Sequence, residues 1–105
     1  SIDSNMETKL EQIDGINTVF LSGEVDLEVA DQAKEFIANQ IVEGVQELHL
    51  NLKDVSYMDS SGISILIESH QKGGKNGTKV ILKEVSKSVL KVIMMAKLEL
   101  VLNIG

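Results

Sequence analysis

The chain has 105 residues, 43% of them hydrophobic, a net charge of −6 and no cysteine. This length and apolar fraction suit one domain with a single modest core and argue against disorder. Lack of cysteine excludes disulfides, thiolate metal sites and cysteine nucleophiles, and the acidic balance offers no basic footprint for nucleic acid.

Glu7 to Ile13 reads as a strand, and Asp14-Gly15 behind it is a hairpin signal between two β-like runs. Ile16 to Ser22 forms the second strand, with Thr18, Val19 and Phe20 as β-formers and Gly23 as its end. Asp26 stands where a helix N-cap is expected. From Leu27 to Val42 the period turns helical: Ala30, Ala33, Ile37 and Ile41 share one stripe, and Gly44 is the expected stop. Glu47 to Leu52 alternates strictly, with Leu48, Leu50 and Leu52 on one face. A strand covered on both faces would be continuously apolar. The helices are therefore expected on one side of the sheet.

Ile63, Leu66, Ile67 and His70 follow helical spacing, and Gly73-Gly74 and Asn76-Gly77 are read as the end of that helix. Lys72-Gly73-Gly74-Lys75 is read as a solvated turn, because strand–loop–helix order is reversed there. Thr78 to Lys83 is a short strand. Ser86 caps a third helix with Val89, Val92, Ile93 and Ala96 inward, and Met94-Met95 is assigned to core or rim packing. Leu98 to Ile104 is the last strand. The order ββαβαβαβ predicts a single α/β domain over residues 1–105. Its sheet is mixed: an N-terminal antiparallel hairpin joined to parallel βαβ pairings, with the helices mainly on one face.

The two histidines, His49 and His70, lie in different segments, so a histidine-built metal site is not expected. No apolar run approaches the ~20 residues of a membrane span. Ser1-Ile2-Asp3-Ser4-Asn5 shows no basic region before an apolar core, so no signal peptide is expected. These features fit a cytoplasmic protein with no membrane association.

The segment from Val55 to Gly62 joins a strand to a helix start and carries the most information. Ser60 and Ser61 place two hydroxyls beside unpaired backbone N–H groups and the positive end of a helix dipole. Such a place receives phosphate well. The ordinary role of a serine there is to cap the helix, but one serine suffices, which leaves the other hydroxyl free. Gly62 permits close approach of a backbone or a phosphate.

Asp59-Ser60-Ser61-Gly62, preceded by Asn51-Leu52-Lys53-Asp54-Val55-Ser56-Tyr57-Met58, resembles the signature of the bacterial anti-sigma factor antagonists, a group of STAS domains. Gly23-Glu24-Val25-Asp26 resembles the Gly-Glu-acidic turn of the same family. The resemblance runs from Thr8 to Gly105. It implies that an anti-sigma factor, itself a serine kinase, phosphorylates Ser60. It implies further that the unphosphorylated chain binds that kinase and releases a sigma factor, that phosphorylation ends the binding, and that a PP2C-type phosphatase resets the switch. The partner-contacting residues carried over are Asp26, Met58, Asp59, Ser60, Ser61, Gly62 and Ile63, with the two aspartates helping to position the kinase. No cofactor is expected in this chain: it has neither a Walker A loop nor Gly-x-Gly-x-x-Gly, so ATP and magnesium belong to the partner. Two departures from the family are visible. Ile63-Ser64 stands where Leu-Gly is common, and Ala96-Lys97-Leu98 stands where Thr-Gly-Leu is common.

Two other roles compete. A serine hydrolase would need a base beside Ser60, but His70 lies ten residues along the same helix, about 15 Å away at 1.5 Å per residue. No Gly-x-Ser-x-Gly elbow is present, so no enzymatic activity is expected. A STAS module could instead serve as a scaffold in another signalling complex without sigma-factor control, because a fold alone does not assign a function.

Overall fold

The computed structural model describes residues 6–105. The N-terminal pentapeptide, read above for a leader, lies outside them. Two strands open the chain, β1 (Met6–Ile13) and β2 (Ile16–Val25), followed by α1 (Leu27–Ala38) and β3 (Glu47–Met58). Next come α2 (Ser60–Asn76), β4 (Lys79–Lys83), α3 (Lys87–Met95) and β5 (Asn103–Ile104). The sheet order is β1-β2-β3-β4-β5. β1 and β2 pair antiparallel, and the remaining pairs are parallel. The mixed sheet with its opening hairpin is thus as the sequence predicts.

The alternation in β3 decides where the core lies. Leu48, Leu50 and Leu52 are fully buried, and the strand register sets Leu50 beside Val19 on β2 and Leu48 and Leu50 beside Val80 and Leu82 on β4. Burial of each such side chain contributes about 1.5–3 kcal/mol. Val29, Ala30, Ala33 and Ile37 of α1, Ile65 and Leu66 of α2, and Val89 and Ile93 of α3 complete the same cluster. The opposite sheet face carries Phe20, His49, Ile81 and Lys83, all half-buried and none of them in that core. The helices share one face, as expected from a strand with only one apolar side.

Several boundaries differ from the sequence reading, each for a physical reason. β2 does not stop at Gly23 but continues to Val25, with Gly23 at φ 88°. β3 runs six residues past Leu52, to Met58. Between the pairs Phe20↔Asn51 and Ser22↔Asp54 the chain advances two residues on β2 and three on β3. Between Gly23↔Val55 and Glu24↔Tyr57 it advances one and two. Each extra residue is a bulge. The bulges carry the inward positions from Leu52 to Val55 and Met58, a spacing of three that hides the strand from a period-two search. Asn51 stabilises the first bulge: its side-chain oxygen accepts the Lys53 N–H at 3.0 Å, and its amide donates to Glu84 at 3.0 Å.

The first helix ends at Ala38 rather than Val42, because Gln40 and Ile41 donate to the carbonyls of Ile37 and Ala38, three residues back. That tighter turn still buries Ile41. Gly44, expected as the helix stop, falls in the following turn at φ 92°. Gly73-Gly74 lies inside α2, not in a solvated turn, and the helix ends on Gly77 in the left-handed region. Gly73 is required by closeness, since a Cβ there would lie 2.6 Å from the Thr78 carbonyl oxygen. Ala96, Met94 and Met95, expected inward or at the rim, are exposed, and Val92 is half-buried. The last strand shrinks from Leu98–Ile104 to Asn103–Ile104.

α3 closes with two tightening bonds. Lys97 donates its N–H to Met94 at 2.9 Å, and Leu98 donates to Ile93 at 3.1 Å. This is the Schellman pattern, and it puts Lys97 at φ 60°, a conformation that favours glycine. Lys97 is also where the resembling family commonly has Gly. Lys97→Gly is therefore expected to raise stability by up to ~1 kcal/mol. A urea midpoint shifted upward with an unchanged slope checks this.

Candidate functional site

Val25 and Met58 are partners at the carboxyl ends of parallel strands β2 and β3, and the Asp59 N–H donates to the Val25 carbonyl at 3.4 Å. The next residue on each strand is an aspartate that begins a helix. Asp26 accepts the Glu28 N–H at 3.0 Å and caps α1; Asp59 accepts the Ser61 N–H at 2.8 Å and caps α2. Both caps have the extended backbone that this role requires. Two helix N-termini thus stand side by side at the carboxyl edge of the sheet, where open α/β sheets commonly bind ligands and partners. α1 and α2 pack on each other, and Lys34 pairs with Glu68 across them at 2.6 Å. The Lys34 contact and a hydrogen bond from Ser64 hold the Glu68 carboxyl below its usual range.

Ser60 is the first residue of α2 and is exposed. Because Asp59 performs the capping, neither serine hydroxyl is needed for it. Among the described residues the Ser60 hydroxyl has no hydrogen-bond partner, and Ser61 is half-buried beside it. Met58, Gly62 and Ile63, placed at the contact surface by the sequence resemblance, lie instead inside the fold. Met58 is 5% exposed and Ile63 7%. Gly62 is buried against Met58: a Cβ there would lie 2.2 Å from Met58 Cγ. Its smallness serves packing between strand end and helix start, not the approach of an outside group. These three residues form the floor under Asp59, Ser60 and Ser61.

Two exposed apolar side chains near this edge escaped the sequence reading. Leu27, directly after the Asp26 cap, is 78% exposed. Its spacing of three from Ala30 suggests the buried stripe, but a side chain in the first helical turn leans back past the end of the helix and off the core. Tyr57 is 51% exposed and pairs with Glu24 on the sheet. Among the described residues no group of three or more His, Cys, Asp or Glu side chains is placed to hold a metal ion. No helix among them is long and apolar enough to cross a membrane.

A family model for the STAS domain matches residues 7–105. The chain belongs to the STAS domain family. This STAS domain is 26% identical over 101 residues to the anti-sigma-B factor antagonist of Bacillus subtilis, covering 96% of this chain and 92% of the relative. Its fold matches the crystal structure of an anti-sigma factor antagonist from Mycobacterium paratuberculosis with a TM-score of 0.79 at 24% identity, over 94% of this chain and 84% of that one. It also matches the STAS domain of a SulP transporter from Vibrio cholerae, with a TM-score of 0.61 and 31% identity, over 81% of this chain and 68% of that one.

The cap geometry separates the two roles open to Asp59. Asp59→Ala is expected to cost ~1 kcal/mol in chemical denaturation, whereas Asp59→Asn, which can still accept from Ser61, should lie within about 0.5 kcal/mol of the native chain. Equal losses in both variants would show that the cap is not what Asp59 contributes.

Proposed function

We propose that this STAS domain is an anti-sigma factor antagonist that works by occupying a protein partner, not by catalysis. Its unphosphorylated form binds a cytoplasmic anti-sigma factor that is also a serine kinase, and so releases a sigma factor. Phosphorylation of Ser60 ends the binding, and a PP2C-type phosphatase restores it. ATP and magnesium come with the kinase.

The exposed hydroxyl of Ser60, at the first position of a helix already capped by Asp59, carries this proposal. The similarity to the Bacillus subtilis antagonist supports it. Asp26, Asp59, Ser60 and Ser61 would face the kinase, with Leu27 as an apolar anchor at the same edge. The cap carboxylates Asp26 and Asp59 at this edge suit a partner with basic side chains around its docking site. A phosphoryl group adds about −1.5 to −2 charges. In the free chain it sits in water at the positive end of a helix, so the fold tolerates it. In the complex it would be desolvated against the partner beside two carboxylates, and a buried charge without its own partner is expensive. Dissociation then requires no rearrangement of the domain.

A scaffold role in another signalling complex has one observation in its favour, the similarity to a transporter-borne STAS domain. Incubation with the cognate kinase and ATP distinguishes the two roles. The antagonist should gain one phosphate at Ser60, and Ser60→Ala should gain none. Ser60→Glu should bind the kinase about a hundredfold more weakly than the native chain, a loss of ~2.7 kcal/mol. Phosphate absent from Ser60, or a glutamate variant that binds as well as the native chain, refutes the antagonist role.

A further inference from the structure

The two edges of the sheet are unequal. β5 spans two residues, whereas β1 spans eight and stands at the end of the strand order, with no strand beyond its residues 7–13 among the described residues. A long open edge is a template for another strand. We propose that β1 is an interface with a second copy of this chain, joining the two sheets through antiparallel β1–β1 pairing centred on Leu10.

Backbone geometry defines which groups are available. Asp14 and Gly15 both have positive φ, 53° and 80°, so the β1–β2 hairpin closes with a two-residue type I′ turn. Ile13 and Ile16 are its closing pair, whose hydrogen bonds point toward each other. Alternation then turns the N–H and C=O groups of Thr8, Leu10 and Gln12 outward. A second β1 must pair these outward residues with outward residues, which permits only every second register.

Charge selects among those registers. With Leu10 opposite the second copy's Leu10, Lys9 faces the second copy's Glu11 and Glu11 faces the second copy's Lys9. Thr8 and Gln12 face each other as well. Residues 7–13 of β1 are used. Moving the centre to Lys9 sets Lys9 against Lys9 and Glu7 against Glu11. Moving it to Glu11 sets Glu11 against Glu11. A centre at Thr8 engages only residues 6–10 of the described strand.

Within one chain Lys9 and Glu11 already pair at 2.5 Å on largely exposed side chains, a contact worth little alone. In the dimer it becomes one half of a four-charge ring of alternating sign. Leu10, 42% exposed in the single chain, gains its own image as an apolar neighbour. α1 rests on both β1 and β2, so its image lies about two strand spacings away, roughly 10 Å, an ordinary distance between packed helices.

A charge exchange tests the interface by sedimentation equilibrium of the full chain, with circular dichroism as the check on folding. The native protein should show a concentration-dependent dimer. Lys9→Glu and Glu11→Lys should each weaken it about tenfold or more, since each replaces two attractive cross-strand pairs by two repulsive ones. Mixing these two variants should restore the dimer as a heterodimer, and the double variant K9E/E11K should restore it alone. A native chain that stays monomeric at the highest concentration reached overturns the proposal. So does a dimer that either single variant leaves intact, or a mixture that fails to reassociate. None of these variants touches the Ser60 edge, so kinase binding reports separately on the proposed function.

Discussion

The parallel pairing of β2 with β3 brings Val25 and Met58 together at the carboxyl ends of their strands, and the site depends on that contact. Each strand passes directly into an aspartate and then a helix. The hydrogen bond from the Asp59 N–H to the Val25 carbonyl holds the second exit beside the first. Had the two β3 bulges been absent, the register set by Val19 and Leu50 would have placed Ser56, not Met58, opposite Val25. The bulges are thus what allows an alternating strand to end in a buried floor for an exposed serine.

Electrostatics at this edge is arranged so that the fold is complete without an added group. Asp26 and Asp59 each satisfy an orphan N–H and oppose the positive end of a helix dipole. The serine hydroxyls are left over. A modification placed on a group the fold does not use changes the surface and leaves the architecture alone, which is the physical requirement for a switch that acts by charge. Lys34 and Glu68 tie α1 to α2 behind the site. Because the Glu68 carboxyl is held below its usual range, that tie is present above the unfolded-state pKa and is lost as pH falls through the lowered folded value. Both groups are partly solvated, so the contribution is small.

Two departures from the family pattern have different consequences. Ile63 keeps its place in the core despite standing where leucine is common, because either aliphatic side chain fills the space under the helix start. Lys97 occupies a left-handed position that any helix ending in a Schellman motif imposes, and its backbone bears the strain that glycine avoids. The adjoining Met94 and Met95 are exposed, contrary to their apolar character.

The α/β class, the opening hairpin, the one-sided helix layer and the helix start at Asp26 were legible because each is local, whereas the cap of the second helix, read as a serine, proved to be Asp59. Turn chemistry at Asp14-Gly15, capping chemistry at Asp26 and Ser86, and period-two leucines in β3 all act over a few residues. What required the tertiary structure was every property set by long-range contact. The burial of Met58 and Gly62 against each other, the exposure of Leu27 and Tyr57, and the continuation of β3 through two bulges depend on which strand lies alongside and where the core ends. No sequence window contains that information, because an inward-facing position on a bulged strand is defined by its neighbour's register and not by its own spacing.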